Sequence, residues 1–389
     1  MKRRSSRIDH RSGPEPAIRT SGAERAHRGC EQREGPGFRV AVLMPAPRAL
    51  DRLPPDVAGQ EAEARAPGLR GRKRPRQTSE KGGWLPLALL SSERPRWNFG
   101  SPGFGHVVQG GVVELTYTSY GTEAVVERRG CFLHYWLRET SKPDAPLVMF
   151  IHGAGLDHRM WASQIDAFAE QYRVLTCDLR GHGRSRPAGE YSFEVLVEDG
   201  FALAELAKAD KVALIGLSMG GNVAQEMVFQ NPSLFAGIVC ADCTCNTLVP
   251  LFDRLLAPIY GALFEPLLAL YSMDTLVRQV GETSALTQDG KRYVSAATAQ
   301  LSKKELARIM STLLVTLHHE HKYKVGIPEL LCYGAYDRLG NIRKVMPKWH
   351  RRDPRSELAV VPEASHCSNI DNPAFFNRIS REWLGRVFG

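Results

Sequence analysis

The stretch Gly216-Leu217-Ser218-Met219-Gly220 constrains this chain more than any other. An apolar run, Val212-Ala213-Leu214-Ile215, leads into it, and a helical pattern begins at Asn222. A Gly-x-Ser-x-Gly between a strand and a helix reads as a very tight turn with the serine at its apex. Strand and helix approach that closely only if the neighbouring residues lack bulk, and the serine must take a strained backbone conformation. Such a turn points the Ser218 hydroxyl away from the sheet. It also lets the first N–H groups of the helix face a developing oxyanion. The pattern alone arises often by chance; the strand before it and the helix after it give this copy its weight. Ser218 is the candidate nucleophile.

A serine hydroxyl is a poor nucleophile at neutral pH and needs a base, with a carboxylate behind that base. After a turn of this kind the partners are expected in the order acid, then histidine. Downstream, Pro328-Glu329-Leu330-Leu331-Cys332-Tyr333-Gly334 reads as a short buried strand running into Ala335-Tyr336-Asp337. A carboxylate just past a strand end, beyond a glycine, can reach the face of the sheet that carries the serine. Glu357-Leu358-Ala359-Val360-Val361 reads as a further strand, followed by Pro362-Glu363-Ala364-Ser365-His366. His366 thus lies in a loop after the last strand, within reach of Ser218. Asp242, which ends the run Gly237-Ile238-Val239-Cys240-Ala241, competes for the role of acid. Asp337 is preferred, and Asp242 is expected to line or brace the site.

Two further segments complete a pattern. His152-Gly153-Ala154-Gly155 follows the apolar strand Leu147-Val148-Met149-Phe150-Ile151, and Asp178-Leu179-Arg180-Gly181-His182-Gly183-Arg184-Ser185 follows Arg173-Val174-Leu175-Thr176-Cys177. In this order, and upstream of the Ser218 turn, these segments resemble those of the α/β-hydrolase superfamily. The resemblance runs from about Glu123 to the C-terminus. It implies an oxyanion hole made by the backbone N–H groups of Ala154 and Met219. It also makes His152 a residue that braces its loop, and gives Asp178 and His182 the task of ordering the neighbouring turn.

The chain has 389 residues, and its net charge of +9 is unevenly placed. Residues 1–83 hold 19 Lys or Arg against 10 Asp or Glu, so they carry all of that charge. The remainder is balanced, and the basic character says nothing about a substrate. The same stretch is rich in Arg, Gly, Pro, Ala and Glu, with almost no aromatic residues and no sustained apolar periodicity. Such composition cannot bury enough apolar surface to offset its ordering entropy. Residues 1–110 are therefore expected to be a disordered Arg/Gly/Pro-rich extension, and 111–389 the folded domain. Arg70-Gly71-Arg72-Lys73-Arg74-Pro75-Arg76 has no folded nucleic-acid module or interleaved aromatics beside it, so no nucleic-acid partner is expected. No apolar segment follows the opening Lys2-Arg3-Arg4, and scattered acidic residues spoil a transit peptide. The densest apolar run, Leu85-Pro86-Leu87-Ala88-Leu89-Leu90, is far short of the roughly 20 residues a bilayer span needs. A soluble, cytoplasmic protein without membrane association is the expectation.

From Glu123 onward, strands alternate with helical stretches such as 158–171 and 193–207. This predicts an α/β fold: a mainly parallel, doubly wound sheet of about eight strands with helices on both faces. After the sixth strand about 80 residues lack strand character. This insertion, approximately 246–326, is similar to the helical cap that the superfamily places over the serine. Its apolar segments, 248–252 and 259–264, are expected to pack the cap onto the core and in part to line a substrate pocket.

The eight cysteines suggest no disulfide framework. Cys177, Cys240 and Cys332 fall within strands and read as small buried hydrophobes, while Cys243-Thr244-Cys245 has the wrong spacing for a redox or zinc motif. His318-His319-Glu320-His321 lacks the Glu-x-x-His arrangement of a metal site and reads as part of a solvated cap helix. No metal and no cofactor are expected.

Together these readings predict a cofactor-independent serine hydrolase acting on a small or medium carboxylic ester or lactone. The same scaffold also hosts carbon–carbon bond hydrolases, thioesterases and cofactor-free haloperoxidases, as well as ligand receptors without turnover, and the motifs do not separate these. A serine at this turn argues against dehalogenases and epoxide hydrolases, which use a carboxylate. The sequence leaves the oligomeric state open.

Overall fold

Four runs of the chain are almost wholly apolar and have nearly every residue buried: β4 (Leu147–Ile151), β6 (Val212–Leu217), β7 (Phe235–Ala241) and β8 (Glu329–Gly334). Strands of that kind need cover on both faces, which is the situation of a parallel sheet between helices. The computed structural model describes residues 116–389, apart from 143, 250, 316, 317, 319 and 321. The expected extension at 1–110 and its apolar run at 85–90 lie outside the described residues.

The remaining strands are β1 (Thr116–Thr118), β2 (Gly121–Arg128), β3 (Cys131–Arg138), β5 (Arg173–Cys177) and β9 (Glu357–Val361). All nine form one sheet in the order β1-β2-β3-β5-β4-β6-β7-β8-β9. The three N-terminal strands pair antiparallel, and β5 through β9 run parallel. The sheet has one strand more than the sequence pattern indicated; the addition, β1, is three residues long and precedes Glu123.

Alternation along the strands divides the core in two. Leu147, Met149 and Ile151 of β4 pack on one side with α2 (Phe193–Leu206), α3 (Met219–Gln230) and α8 (Ile342–Arg352). Val148 and Phe150 pack on the other with α1 (Ala162–Ala169) and α10 (Pro373–Phe388). A short helix, α9 (Ser368–Asp371), precedes α10. Between β7 and β8 lie four helices: α4 (Leu251–Ala269), α5 (Met273–Ser284), α6 (Gln288–Thr298) and α7 (Lys303–Val315). This is the stretch in which the sequence pattern placed a cap.

The register positions the site. Ile151 pairs with Gly216, Leu217 with Ala241, and Ala241 with Cys332. The C-terminal ends of β4, β6, β7 and β8 therefore stand side by side, and the loops leaving them meet at one crest. Ligands of open parallel sheets bind at that edge.

Candidate active site

Ser218 sits between the last residue of β6 and the first of α3, with φ 53° and ψ −119°. Few non-glycine residues hold such a conformation, and those that do are pinned by their surroundings. Here the pins are hydrogen bonds: Ser218 N–H donates to Ala241 O at 2.9 Å, and Asn222 N–H donates to Ser218 O at 3.0 Å. The glycines are required by close approach. A Cβ on Gly216 would collide with the Gly220 carbonyl, and one on Gly220 with the Ile151 carbonyl. The turn is thereby pressed against the end of β4.

The loop 152–155 lies against the same turn, a Cβ position on Gly153 falling 3.4 Å from Ser218 Cβ. Both ring nitrogens of His152 are used within this neighbourhood. Nδ1–H donates to Gly153 O at 2.8 Å, and Nε2 accepts from Leu179 N–H at 2.8 Å. That pattern fixes a neutral ring, and complete burial pushes its pKa down accordingly. His152 thus ties the loop that carries Ala154 to the loop after β5. Met219 is the first residue of α3, where a backbone N–H has no partner inside the helix. Of the two expected oxyanion donors, Met219 follows Ser218 directly, and Ala154 follows Gly153, which lies against the same turn.

Asp178 accepts from His158 N–H and Nδ1–H, each at 2.8 Å, and from Arg184 N–H at 2.7 Å. Burial alone would raise its pKa, but these bonds outweigh it and hold the carboxyl below its ordinary value. His182 is fully buried, and desolvation lowers its pKa to about 3. It is a neutral packing partner of the His152 ring, 5.0 Å away.

Asp337 and His366 meet. Asp337 Oδ2 accepts from His366 Nδ1–H at 3.0 Å, and Oδ1 accepts from Leu339 N–H at 2.8 Å. The loops that carry them are laced together: Ala335 N–H donates to Val361 O and Tyr336 N–H to Ala364 O, both at 2.9 Å. Among the described residues no hydrogen bond joins Ser218 Oγ to His366. Asp242 faces elsewhere. Its Oδ1 accepts from Gly334 N–H at 2.7 Å, and its Oδ2 accepts from the Ser368 hydroxyl. Burial, together with the neighbouring Asp337, pushes the Asp242 carboxyl up. It holds the end of β8, three residues before Asp337 in the chain, and the start of α9, two residues after His366.

Two carboxylates that the sequence did not single out fasten the helices between β7 and β8 to this crest. Asp371 accepts from Leu286 N–H, Thr287 N–H and the Thr287 hydroxyl at the α5–α6 corner, and from Ser365 N–H next to His366. Asp157, just past the 152–155 loop, accepts from Tyr293 O–H of α6 and from Gln300. Nothing in the sequence distinguishes them from ordinary helix-start aspartates.

The reading of 318–321 as a solvated helix is corrected. Helix α7 ends at Val315, and His318 is buried, its Nε2 lying 3.3 Å from Glu226 Oε2 while its N–H donates to Asn246 O at 2.8 Å. The tertiary contact with α3 overrides the local polarity of the run. His319 and His321 lie outside the described residues. All seven cysteines of the described residues are free and buried. Cys367, beside His366, has its thiol pushed well up by burial, which disfavours a thiolate there.

A family model for the alpha/beta hydrolase family matches residues 148–379. The chain belongs to the α/β-hydrolase family. It is 25% identical over 253 residues to a 3-oxoadipate enol-lactonase of Acinetobacter baylyi, a match covering 61% of this hydrolase and 87% of that enzyme. It is 26% identical over 257 residues to a pimeloyl-[acyl-carrier protein] methyl ester esterase of Aeromonas hydrophila, covering 62% and 96%. The fold is shared with the crystal structure of an enol-lactonase from Burkholderia xenovorans, at a TM-score of 0.57 and 21% identity, over 67% of this hydrolase and all of that chain. These relatives are named for esters or lactones, and the chain is a hydrolase.

Proposed function

We infer that this hydrolase cleaves a small or medium carboxylic ester or lactone through an acyl-enzyme on Ser218. The observation that carries this reading is the 3.0 Å Asp337–His366 bond, formed at the crest where the strained Ser218 turn and the 152–155 loop also meet.

The chemistry follows from the positions. His366 Nδ1–H is held by Asp337, which leaves Nε2 as the basic nitrogen. As Ser218 Oγ attacks the carbonyl carbon, Nε2 takes its proton, and Asp337 stabilises the imidazolium without itself being protonated. Negative charge collects on the carbonyl oxygen, where the N–H groups of Ala154 and Met219 receive it. One such donor is typically worth about 10²–10³ in rate. Nε2 then returns the proton to the leaving alkoxide, and water repeats the two steps on the acyl-enzyme. In a lactone the leaving group stays attached and departs with the acid.

Fluorophosphonate labelling tests the reading. Ser218→Ala is expected to abolish the covalent adduct and to lower turnover of chromogenic acyl esters by several orders of magnitude. His366→Ala should cost nearly as much, with little further loss in the double variant, because the residues act as one unit. Wild-type labelling of Ser218→Ala would sink the assignment. A protein that is acylated once and releases no product would instead be a receptor on this fold.

A further inference from the structure

The four helices between β7 and β8 differ in what they show to solvent. Helix α5 exposes Asp274, Arg278 and Glu282, and α7 exposes Lys304 and Arg308. Helix α4 exposes Leu255 (67%), Ile259 (55%), Leu263 (46%) and Leu267 (37%), with Leu270 (77%) just beyond its end. The first four recur every fourth residue, so they form one stripe along the helix. Of the ten exposed positions from 255 to 270, nine are Leu, Ile, Pro or Ala, and only Glu265 is charged. The opposite face, with Ala257 and Leu268, is buried in the protein. A stripe of this size stands out against the singly scattered apolar residues of ordinary surfaces.

We propose that α4 lies in the surface of a neutral lipid aggregate and brings the site to an ester dissolved there. The choice of occupant rests on what the stripe lacks. Contacts between proteins concentrate Trp, Tyr, Arg and paired polar groups at their centres, and this face offers only aliphatic side chains. Leu255 to Leu270 spans about 22 Å of helix. Two copies opposed along one such helix would reach only about the lower limit of a stable pair, roughly 1,200 Å², and only with the whole stripe covered. A lipid surface asks for neither shape complementarity nor hydrogen bonds, only apolar area. Among the described residues no single helix is long and apolar enough to cross a membrane. The expectation of no membrane contact rests on the lack of an apolar run of spanning length in the sequence, and a helix lying in a surface needs none.

The stripe is also close to the chemistry along the chain. Asn246, five residues before α4, accepts at Oδ1 from Asn222 Nδ2–H at 2.6 Å, and Asn222 N–H in turn donates to Ser218 O. The root of α4 is therefore tied to the first turn after the candidate nucleophile. The substrate half of this proposal rests on the acyl-transfer reading above; the docking half does not.

Flotation of the full chain with vesicles of pure phosphatidylcholine tests it. Neutral vesicles matter because the +9 charge of residues 1–83 would draw the chain to anionic ones whatever α4 does. The wild type and Ser218→Ala should float equally. Leu255→Gln, Ile259→Gln and Leu263→Gln combined should reduce flotation at least tenfold. These positions are exposed, so folding should be kept, and Arg278→Gln on the polar face of α5 should change nothing. The triple variant should hydrolyse a short soluble ester at the wild-type rate and an ester embedded in the vesicles at least tenfold more slowly. Failure of the wild type to float, or flotation indifferent to the triple substitution, overturns the proposal. So does a wild-type dimer that the triple variant turns into monomers without any flotation, since the stripe then meets a second copy.

Discussion

Strand β8 begins and ends on a carboxylate: Glu329 is its first residue, and Asp337 lies three residues past its last. Each is 2% exposed. Asp337, at the C-terminal end, is met by Leu339 N–H and the His366 imidazole. Glu329, at the N-terminal end, has no hydrogen-bond partner for either carboxylate oxygen among the described residues. Burial and the neighbouring Asp353 push its pKa up to about 8, against the ordinary 4.5. Equal burial thus goes with a hydrogen-bonded, oriented carboxyl at one end and an unpartnered, proton-holding one at the other. The difference lies in the loops. Connections leaving the C-terminal ends of parallel strands converge and aim N–H groups at one place. At the start of β8, among the described residues, no N–H group is aimed at the Glu329 carboxyl.

The largest expected effect tests the C-terminal end. Asp337→Asn should lower ester turnover by about 10⁴, because an amide in place of the carboxylate favours the wrong imidazole tautomer. Asp242→Asn should cost less than tenfold. Its Oδ1 can still accept from Gly334, its amide can donate to Ser368, and a neutral amide matches a carboxyl already pushed toward its neutral form. Steady-state kinetics on one chromogenic ester suffice. The reverse order would move the acid from β8 to β7 and break the comparison.

An intermediate effect is expected at Asp371, which accepts from more donors than Asp337 does but touches no reacting group. Asp371→Asn turns an amide toward some of those N–H groups and loses charge-assisted bonds worth about 1.5–3 kcal/mol each. Ser365 N–H is one of the partners and His366 is the next residue, so turnover should fall about tenfold through misplacement of the base. The thermal midpoint should fall by several degrees with it. A drop in stability with unchanged turnover would make Asp371 a fastener of the α5–α6 corner alone.

The contrast between residues also explains what could be read in advance. Ser218, Asp337 and His366 each follow a run of apolar, β-forming residues, so one-dimensional order placed them at the crest. The glycine turn at 216–220 betrays itself because only glycine tolerates the contacts made there. Asp371 and Asp157 are different: their partners, Leu286, Thr287, Tyr293 and Gln300, lie 84 to 143 residues away, and no local pattern marks such a pair. His318 misled for the same reason, since Glu226, 92 residues distant, draws it into the interior. The apolar stripe of α4 was visible as composition. Its direction was not, because the pattern of 255–270 does not say which face the protein covers.

The smallest effect concerns Glu329 and should leave activity alone. Between the ordinary value of 4.5 and the folded value of about 8, the folded chain keeps a proton that the unfolded chain has lost. Stability contributed by this group therefore falls as pH rises through that window and is constant on either side of it. Arg352 and Arg355 pull the other way but do not reverse the sign, because burial is the larger influence. Glu329→Gln removes the titration while keeping the shape. At pH 5 the variant and the wild type should melt within a degree or two of one another. At pH 9 the variant should be more stable by several degrees, each unit of pKa separation corresponding to about 1.4 kcal/mol. Ester turnover at pH 7 should be unchanged, because Glu329 sits at the end of β8 opposite to the site. A midpoint difference that stays flat from pH 5 to pH 9 would show that Glu329 ionises normally. The two ends of β8 would then treat a buried carboxylate alike, and the convergence of loops at the crest would no longer account for the difference in their roles.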